Sequence, residues 1–361
     1  MDLNPTPEQT QVVDAFRRLL ESRSTSAQVR AAEATGFDPS LWRDAVHMGI
    51  HSMGIPEEGG GSGLGLLDVA LLAEVYGEFI APIPFVEANV AGRLLARAGE
   101  PGRALLEAVA NNGVIATLGL TDTKAAGKQR PVPGGAVAEI VILLEGNQLL
   151  AVKAKAPGKA LSNMGSGPLA FRSREEGGAA VTVLAEGAKA LELHARALNE
   201  WRTLTAAALE GLGRKAVAIG VEYAKNRKAF GAVIGSYQGV AYPLADAATD
   251  LDGALLLARS AAASGDEESA DEEDQGTGEP GRFATLASMA LAYCAERSQR
   301  AAHVCLHVHG GYGFTLEYDI QLYVRRAKAW PLALDDPRKE YQRIAGMLFN
   351  QPGTMEKWIF G

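Results

Sequence analysis

Two short segments carry the side chains whose types and spacing could do chemistry. Residues 227–238 read RKAFGAVIGSYQ, and residues 307–326 read HVHGGYGFTLEYDIQLYVRR. In the first, Arg227 ends a long run of helical periodicity and is followed by Phe230, Gly231 and Gln238. An arginine so placed can hold a phosphate through two parallel hydrogen bonds, and glycine lets a backbone approach it closely. In the second, His307 precedes Gly310, Gly311 and Gly313, a turn at which backbone groups can meet a phosphate or a ribose. Either segment alone also fits a helix ending on an ordinary glycine cap. A third glycine-rich stretch, GGGSGLG at 59–65, lacks the GK[ST] ending of a phosphate loop and does not follow a strand, so it reads as a turn between helices.

The elements that must position these residues are mostly helical. In residues 9–20, Val12, Val13, Phe16, Leu19 and Leu20 recur along one helix face. Asp38-Pro39 opens another helix with Leu41, Trp42, Ala45 and Val46. Residues 66–79 form an apolar helix, and Ala81-Pro82-Ile83-Pro84 turns into a further one ending near Gly99. Between 113 and 192 the period changes to short β-prone runs at 113–120, 136–145, 149–152 and 179–185. Helical periodicity returns at 193–227, 238–264 and 282–309, with a shorter pair between 316 and 349. The expected fold class is α+β: an N-terminal helical domain (1–112), a small β domain (113–192) and a C-terminal helix bundle (193–361).

The 361 residues hold 35 Lys and Arg against 43 Asp and Glu, a formal charge of −8. Eight of those acids lie in one run, 266–279 (DEESADEEDQGTGE), and without them the counts are equal. No domain-wide basic field exists to neutralise nucleic-acid phosphates. No stretch has the length and apolarity of a membrane span, and the N-terminus lacks the basic and apolar regions of a secretory signal. Cys294 and Cys305 show no metal-ligand spacing and read as packed thiols of a cytoplasmic protein. The acidic run is expected to form a solvated loop, at 264–281, between bundle helices.

Taken together, the two segments resemble the acyl-CoA dehydrogenase family, whose C-terminal domain carries R-x-x-FG-x-x-IGSFQ and Q-x-x-GG-x-G-(F/Y). Ile55-Pro56-Glu57-Glu58-Gly59-Gly60 with Gly63 resembles the family's V-P-E-E-x-G-G-x-G loop, and residues 74–84 (EVYGEFIAPIP) resemble the segment after it. The resemblance implies FAD at a dimer interface, with the flavin ring on one subunit's β domain and the pyrophosphate and adenosine held by the neighbour's C-terminal domain. Arg227, Phe230, Gly231, Gln238, Gly310, Gly311 and Gly313 match the neighbour-contributed positions. His307 stands where the family usually has Gln, and imidazole can still donate one hydrogen bond.

The same resemblance marks what is missing. Family members place a catalytic Glu at one of two positions, to take the substrate's α-proton while a hydride moves to the flavin. Here those positions are Trp201, followed by Arg202 as the pattern requires, and Leu334. Neither can accept a proton, so no catalytic residue is assigned to this chain. Glu200 and Asp335 are their immediate neighbours, but one residue of offset rotates a helical side chain by about 100°. The ordinary role for both is a solvated or capping carboxylate. In the β domain, Thr121-Asp122-Thr123-Lys124-Ala125-Ala126-Gly127 stands where the family has T-E-P-x-A-G-S-D, and no W-I-T strand follows.

This asymmetry resembles the smaller, base-lacking subunits of actinobacterial heterotetrameric acyl-CoA dehydrogenases, which act on CoA esters of steroid side chains. It implies a larger partner subunit in an α2β2 assembly, a shared FAD, an acyl-CoA held mainly by the partner, and electron-transfer flavoprotein as acceptor. The alternatives are a self-sufficient dehydrogenase using Glu200 or Asp335, a structural or CoA-binding partner without flavin, and a flavin monooxygenase of the same fold.

Overall fold

A computed structural model describes residues 3–124, 130–154, 158–176, 178–274 and 281–350, with only the backbone of 270–274. The chain divides into two compact units, residues 5–201 and residues 202–361 with 1–4.

The first unit begins with helices α1 (Pro7–Arg23), α2 (Ser26–Ala32), α3 (Pro39–His47), α4 (Leu66–Phe79), α5 (Phe85–Ala98) and α6 (Arg103–Asn112). Their starts are set by local chemistry. Thr6 and Gln9 exchange hydrogen bonds across the first turn of α1, and Thr25 and Gln28 repeat the arrangement on α2. The Asp38 carboxylate accepts from the Ser40 and Leu41 N–H groups, with Pro39 at the first position of α3. Such caps satisfy donors that a helix end leaves orphaned. α4 is apolar nearly all round and buried on most of its surface. Phe85 lies between Phe16 and Tyr76, with ring centroids 5.8 and 5.4 Å away.

The same unit holds a four-stranded sheet of β1 (Ala116–Leu118), β2 (Ile140–Glu145), β3 (Gln148–Lys153) and β4 (Ala180–Glu186), in that spatial order. β1 and β2 are parallel, and the other pairs are antiparallel, with Leu143 opposite Leu150. Every residue of β2 is buried, the apolar run 140–144 by its composition and Glu145 as the partner of Arg174, whereas β4 is largely exposed. Of the stretch expected to hold a flavin-binding signature, Ala125–Gly127 lie outside the described residues.

Helix α7 (Gly187–Asn226) runs through the division between the units. The second unit continues with a hairpin of β5 (Lys228–Ala229) and β6 (Ala232–Val233), then α8 (Gln238–Asp274), α9 (Arg282–His309), α10 (Ile320–Ala329) and α11 (Lys339–Phe349). Its contacts are rich in alanine: Ala254, Ala258, Ala261 and Ala262 on α8 and Ala287, Ala290, Ala301 and Ala302 on α9 are all buried. Small side chains let helix axes come close. A Cβ at Gly220 of α7 would sit 2.7 Å from the Sγ of Cys305 on α9. Cys294 and Cys305 are buried free thiols, and burial pushes Cys305 up to about 12.

One expectation needs correction. α8 does not end near residue 264; it runs to Asp274, so the first nine residues of the acidic run are helix rather than loop. Glu and Ala favour helix, and an (i, i+4) carboxylate pair costs only a few tenths of a kcal/mol. Extending an existing helix carries no nucleation cost. Gln275–Glu279 lie outside the described residues.

Candidate functional site

Arg227 follows the last residue of α7 and is solvent-exposed. Its guanidinium carbon lies 5.5 Å from the centre of the Tyr312 ring, a cation–π contact that joins the first segment to the glycine turn of the second. Beneath it is an aromatic stack. Tyr223 lies on His309 at 4.1 Å, Tyr318 packs edge-on against both, and Tyr312 meets Tyr318 at 5.6 Å. The His309 Nδ1 lies 2.7 Å from the Cys305 carbonyl, which holds the ring in place. The arginine thus rests on an aromatic platform and is exposed to solvent.

The β5–β6 hairpin turns on Phe230 and Gly231, both with positive φ, 51° and 83°. Two-residue hairpin turns need that geometry, and glycine adopts it freely. For Phe230 it is strained, and the ring gains nothing within the chain, because the residue is 99% exposed. Tyr237 Oη donates to the Ala229 and Phe230 carbonyls at 3.1 and 3.3 Å, bracing the turn. Tyr242, Tyr312, Phe314 and Leu316 of the same unit are also exposed.

The glycines separate into two kinds. Gly310 leaves α9 at φ 60°, ψ −142°, a conformation open only to glycine, and a Cβ at Gly313 would meet the Leu306 carbonyl oxygen at 2.8 Å. Those two serve the turn itself. Gly311 and Gly239 differ: both have ordinary φ, and a Cβ on either would meet nothing within 4 Å. Gly239 sits in the first turn of α8, where glycine costs roughly 1 kcal/mol relative to alanine. The chain's own packing gives no reason for either, so both suit a ligand that approaches the backbone closely. In contrast, a Cβ at Gly61 in the 59–65 stretch would lie 2.1 Å from the Ile55 carbonyl oxygen. That loop is glycine-rich for internal packing, as its reading as a turn requires.

His307 lies on the wall of a groove of about 460 Å³ between the last turns of α9 and the first turns of α8. Arg300, His303 and Val304 line the α9 side with it, and Gly239, Val240 and Pro243 line the other, next to Gln238. The structure therefore joins Arg227 to the Gly310–Gly313 turn and His307 to the helix that Gln238 opens. Arg300 and His303 were not found from sequence. Their signal was the recurrence of basic residues seven and four positions before His307, on a single helix face. An arginine on an aromatic platform, basic side chains along a groove and glycines left open are the donors and clearances that a dinucleotide's diphosphate needs.

The two positions next to the missing base have different surroundings. Glu200 is fully buried, and its carboxylate is ringed by Arg97 at 2.8 Å, Arg93 at 3.2 Å and Arg196 at 3.6 Å. Burial raises its pKa, but the three guanidiniums outweigh this and hold the carboxyl below its ordinary value. It is neither solvated nor a cap, correcting the expectation. Arg93 further donates to the Gly54 carbonyl at 3.1 Å. Trp201 is buried beside Glu87 of α5, whose pKa is raised by burial against the opposing effects of its own backbone N–H and the indole. Arg202 pairs with Glu340 of α11, Nε lying 3.1 Å from both carboxylate oxygens. Leu334 is buried. Asp335 accepts the Asp336 N–H at 2.8 Å and pairs with Lys339 at 2.7 Å, but it caps no helix, since α11 begins at Lys339 without a side-chain cap.

No group of three or more metal-ligating side chains occurs among the described residues, and none of their helices is long and apolar enough to cross a membrane. Residues 6–103 match the acyl-CoA dehydrogenase N-terminal domain and residues 191–333 the acyl-CoA dehydrogenase C-terminal domain. The chain is 26% identical over 361 residues to the acyl-CoA dehydrogenase IpdE2 of Mycobacterium tuberculosis, covering 97% of this chain and all of that one. It is 28% identical to the acyl-CoA dehydrogenase FadE27 of the same organism, covering 88% and 90%. Among solved structures it is similar in fold to the ChsE4-ChsE5 complex from Mycobacterium tuberculosis, with a TM-score of 0.81 at 24% identity and coverage of 98% and 100%. The Tcur3481-Tcur3483 steroid ACAD gives 0.77 at 24% identity, covering 98% and 99%. With both domain matches and this fold, the chain belongs to the acyl-CoA dehydrogenase family of oxidoreductases.

Proposed function

We propose that this protein is the base-lacking subunit of a heteromeric, FAD-dependent acyl-CoA dehydrogenase. The partner is a larger family member that supplies the flavin platform and the catalytic Glu. FAD, when bound, accepts the hydride removed from the β-carbon of the thioester. This chain's part is to hold the cofactor's diphosphate end through Arg227, Gln238, His307 and the open backbone at Gly311, with Phe230 and Gly231 shaping the contact and Gly310 and Gly313 setting the turn. The observation that carries the reading is the pairing of an exposed Arg227 on its aromatic platform with Trp201 and Leu334 at the two base positions. The partner's acyl-CoA is taken to be a steroid side-chain thioester, on the likeness to a steroid ACAD complex, and the electrons are taken to pass to an electron-transfer flavoprotein.

The second reading, a self-sufficient enzyme using Glu200 or Asp335, is disfavoured by their ion pairs. A base needs an unencumbered carboxylate within hydrogen-bond reach of the substrate's α-proton, and both carboxylates are engaged with cations of their own chain. Expressed alone, the protein should be colourless. Co-expressed with a larger homologue from its own genome that carries T-E-P-x-A-G-S-D and a helix-borne Glu, it should elute as a yellow heteromer. An active, flavin-loaded homomer would refute the reading.

A further inference from the structure

We propose that the outer edge of β4 is a joint between two copies of this chain, which pair antiparallel about Thr182 and run their sheets together. The inference goes beyond the proposed function and takes from it only that two copies share one assembly.

The two edges of the four-stranded sheet differ. β1 has three residues, all buried, and α5 packs on it. β4 has seven residues, AVTVLAE, and stands at the other end of the sheet. Among the described residues, no main chain bonds to its outer side. Proteins guard such an edge with proline, lysine, an inward charge, a bulge or a covering element, because its free N–H and C=O groups accept any other strand. β4 holds no proline or lysine, and its one charge, Glu186, is its last residue. The shift in its pairing with β3 makes Leu184 the extra residue and leaves 180–183 regular.

The side chains define the strand that fits. Val181 and Val183 lie opposite Val152 and Leu150 of β3 and share their face of the sheet. Leu150 and Val152 are each 1% exposed, whereas Val181 and Val183 are 41% and 45% exposed. An apolar face thus breaks off at β4. A second β4, laid antiparallel with Thr182 opposite Thr182, continues it: Val181 of each copy meets Val183 of the other. On the opposite face the two threonines meet, a pair that stabilises strands. Centring the joint on either valine instead leaves the other valine opposite an alanine, Ala185 or Ala179.

The charges agree with a second copy as the occupant. Arg174 and Glu175 precede the strand, Glu186 and Lys189 stand at its exit, and all four are exposed. Run antiparallel, the entry of one strand lies beside the exit of the other, so each basic side chain comes near an acidic one. Glu186 falls opposite Gly178, and no like charges oppose within the joint. A contact that is its own complement is what a two-fold assembly requires. A pair of short strands does not bury enough surface to hold two free chains, so the joint acts between copies that the rest of the assembly brings together.

The test is thiol cross-linking of the purified heteromer. Cys294 and Cys305 are buried, so this chain offers no reactive thiol of its own. Directly opposed Cβ atoms lie about 5 Å apart, within the span of a short bis-maleimide. Thr182→Cys treated with that reagent should therefore run as a covalent dimer of this chain, and the unaltered chain should not. Adding Val183→Lys puts on the edge the charge that guarded edges carry, and it should abolish the cross-link while leaving FAD content unchanged. A Thr182→Cys chain that links to the larger subunit, or to nothing, overturns the joint, as does a cross-link that survives Val183→Lys. The proposed function fails separately. A flavin-loaded heteromer without the self-cross-link rejects only the joint, whereas a chain that purifies without a larger subunit rejects the proposed function, and the same cross-link is then read on the homomer.

Discussion

Arginines occupy two regions of this molecule in opposite ways. Around Glu200, Arg93, Arg97 and Arg196 turn inward onto one buried carboxylate. Around Arg227, the guanidinium rests on Tyr312 and faces solvent, next to a strained and fully exposed Phe230. The first region settles its charges within the chain, and buried ions tolerate nothing less. The second retains strain, exposed aromatic surface and glycines without internal cause. Groups that a fold leaves unsettled at some cost to itself are the ones available to a partner or cofactor.

That contrast can be broken by substitution. The largest effect should come from Glu200→Leu, which leaves three guanidiniums without their carboxylate. A loss of about 3–5 kcal/mol in chemical denaturation is expected, and a neutral result would mean that the cluster is not structural. Glu340→Gln, which strands Arg202, should destabilise by a smaller amount within the same range, read in the same experiment.

The pH dependence of stability sharpens the same side. Glu200's pKa is depressed in the folded chain, so its contribution is fully present above the ordinary carboxyl value of 4.5 and is lost as pH falls through the lower folded value. Stability of the unaltered chain should therefore drop below about pH 4.5 more steeply than that of Glu200→Gln, measured by denaturant midpoints across pH 3–6.

On the outward side, stability should barely respond. Arg227→Ala is expected to change the isolated chain by less than about 0.5 kcal/mol while lowering the FAD content of the heteromer. The smallest and most telling effects are reversed in sign. Phe230→Gly should stabilise the isolated chain by about 1 kcal/mol through relief of the left-handed backbone, and Gly239→Ala by about 0.5–1 kcal/mol through helix propensity. Both should weaken the heteromer or its hold on flavin. A gain in stability with no loss of assembly would place these residues outside the contact.

Much of the fold was legible because its signals are local. The Asp38-Pro39 start of α3, the strands flanking Gly146 and the ends of α7 and α9 depend on caps, turns and short-range periodicity. The acidic run was misjudged because charge density was weighed against packing, when the competing event was simple elongation of α8, which needs none. The site was half legible. Arg227 and the glycine turn stand out as motifs, but Arg300 and His303 belong to no motif and gain meaning only when α8 closes the other side of their groove.

What the sequence determined by itself is the order of elements, the family, and the absence of a carboxylate at positions 201 and 334, since each depends on residue identity along the chain. Tertiary structure decided the role of every neighbouring charge. Glu200 and Arg227 are both charged side chains on or beside one helix, and nothing in their local sequence separates a buried, ion-paired group from a solvent-exposed one. The distinction arises from burial, because the cost of an unpaired charge depends on the water that packing removes or leaves.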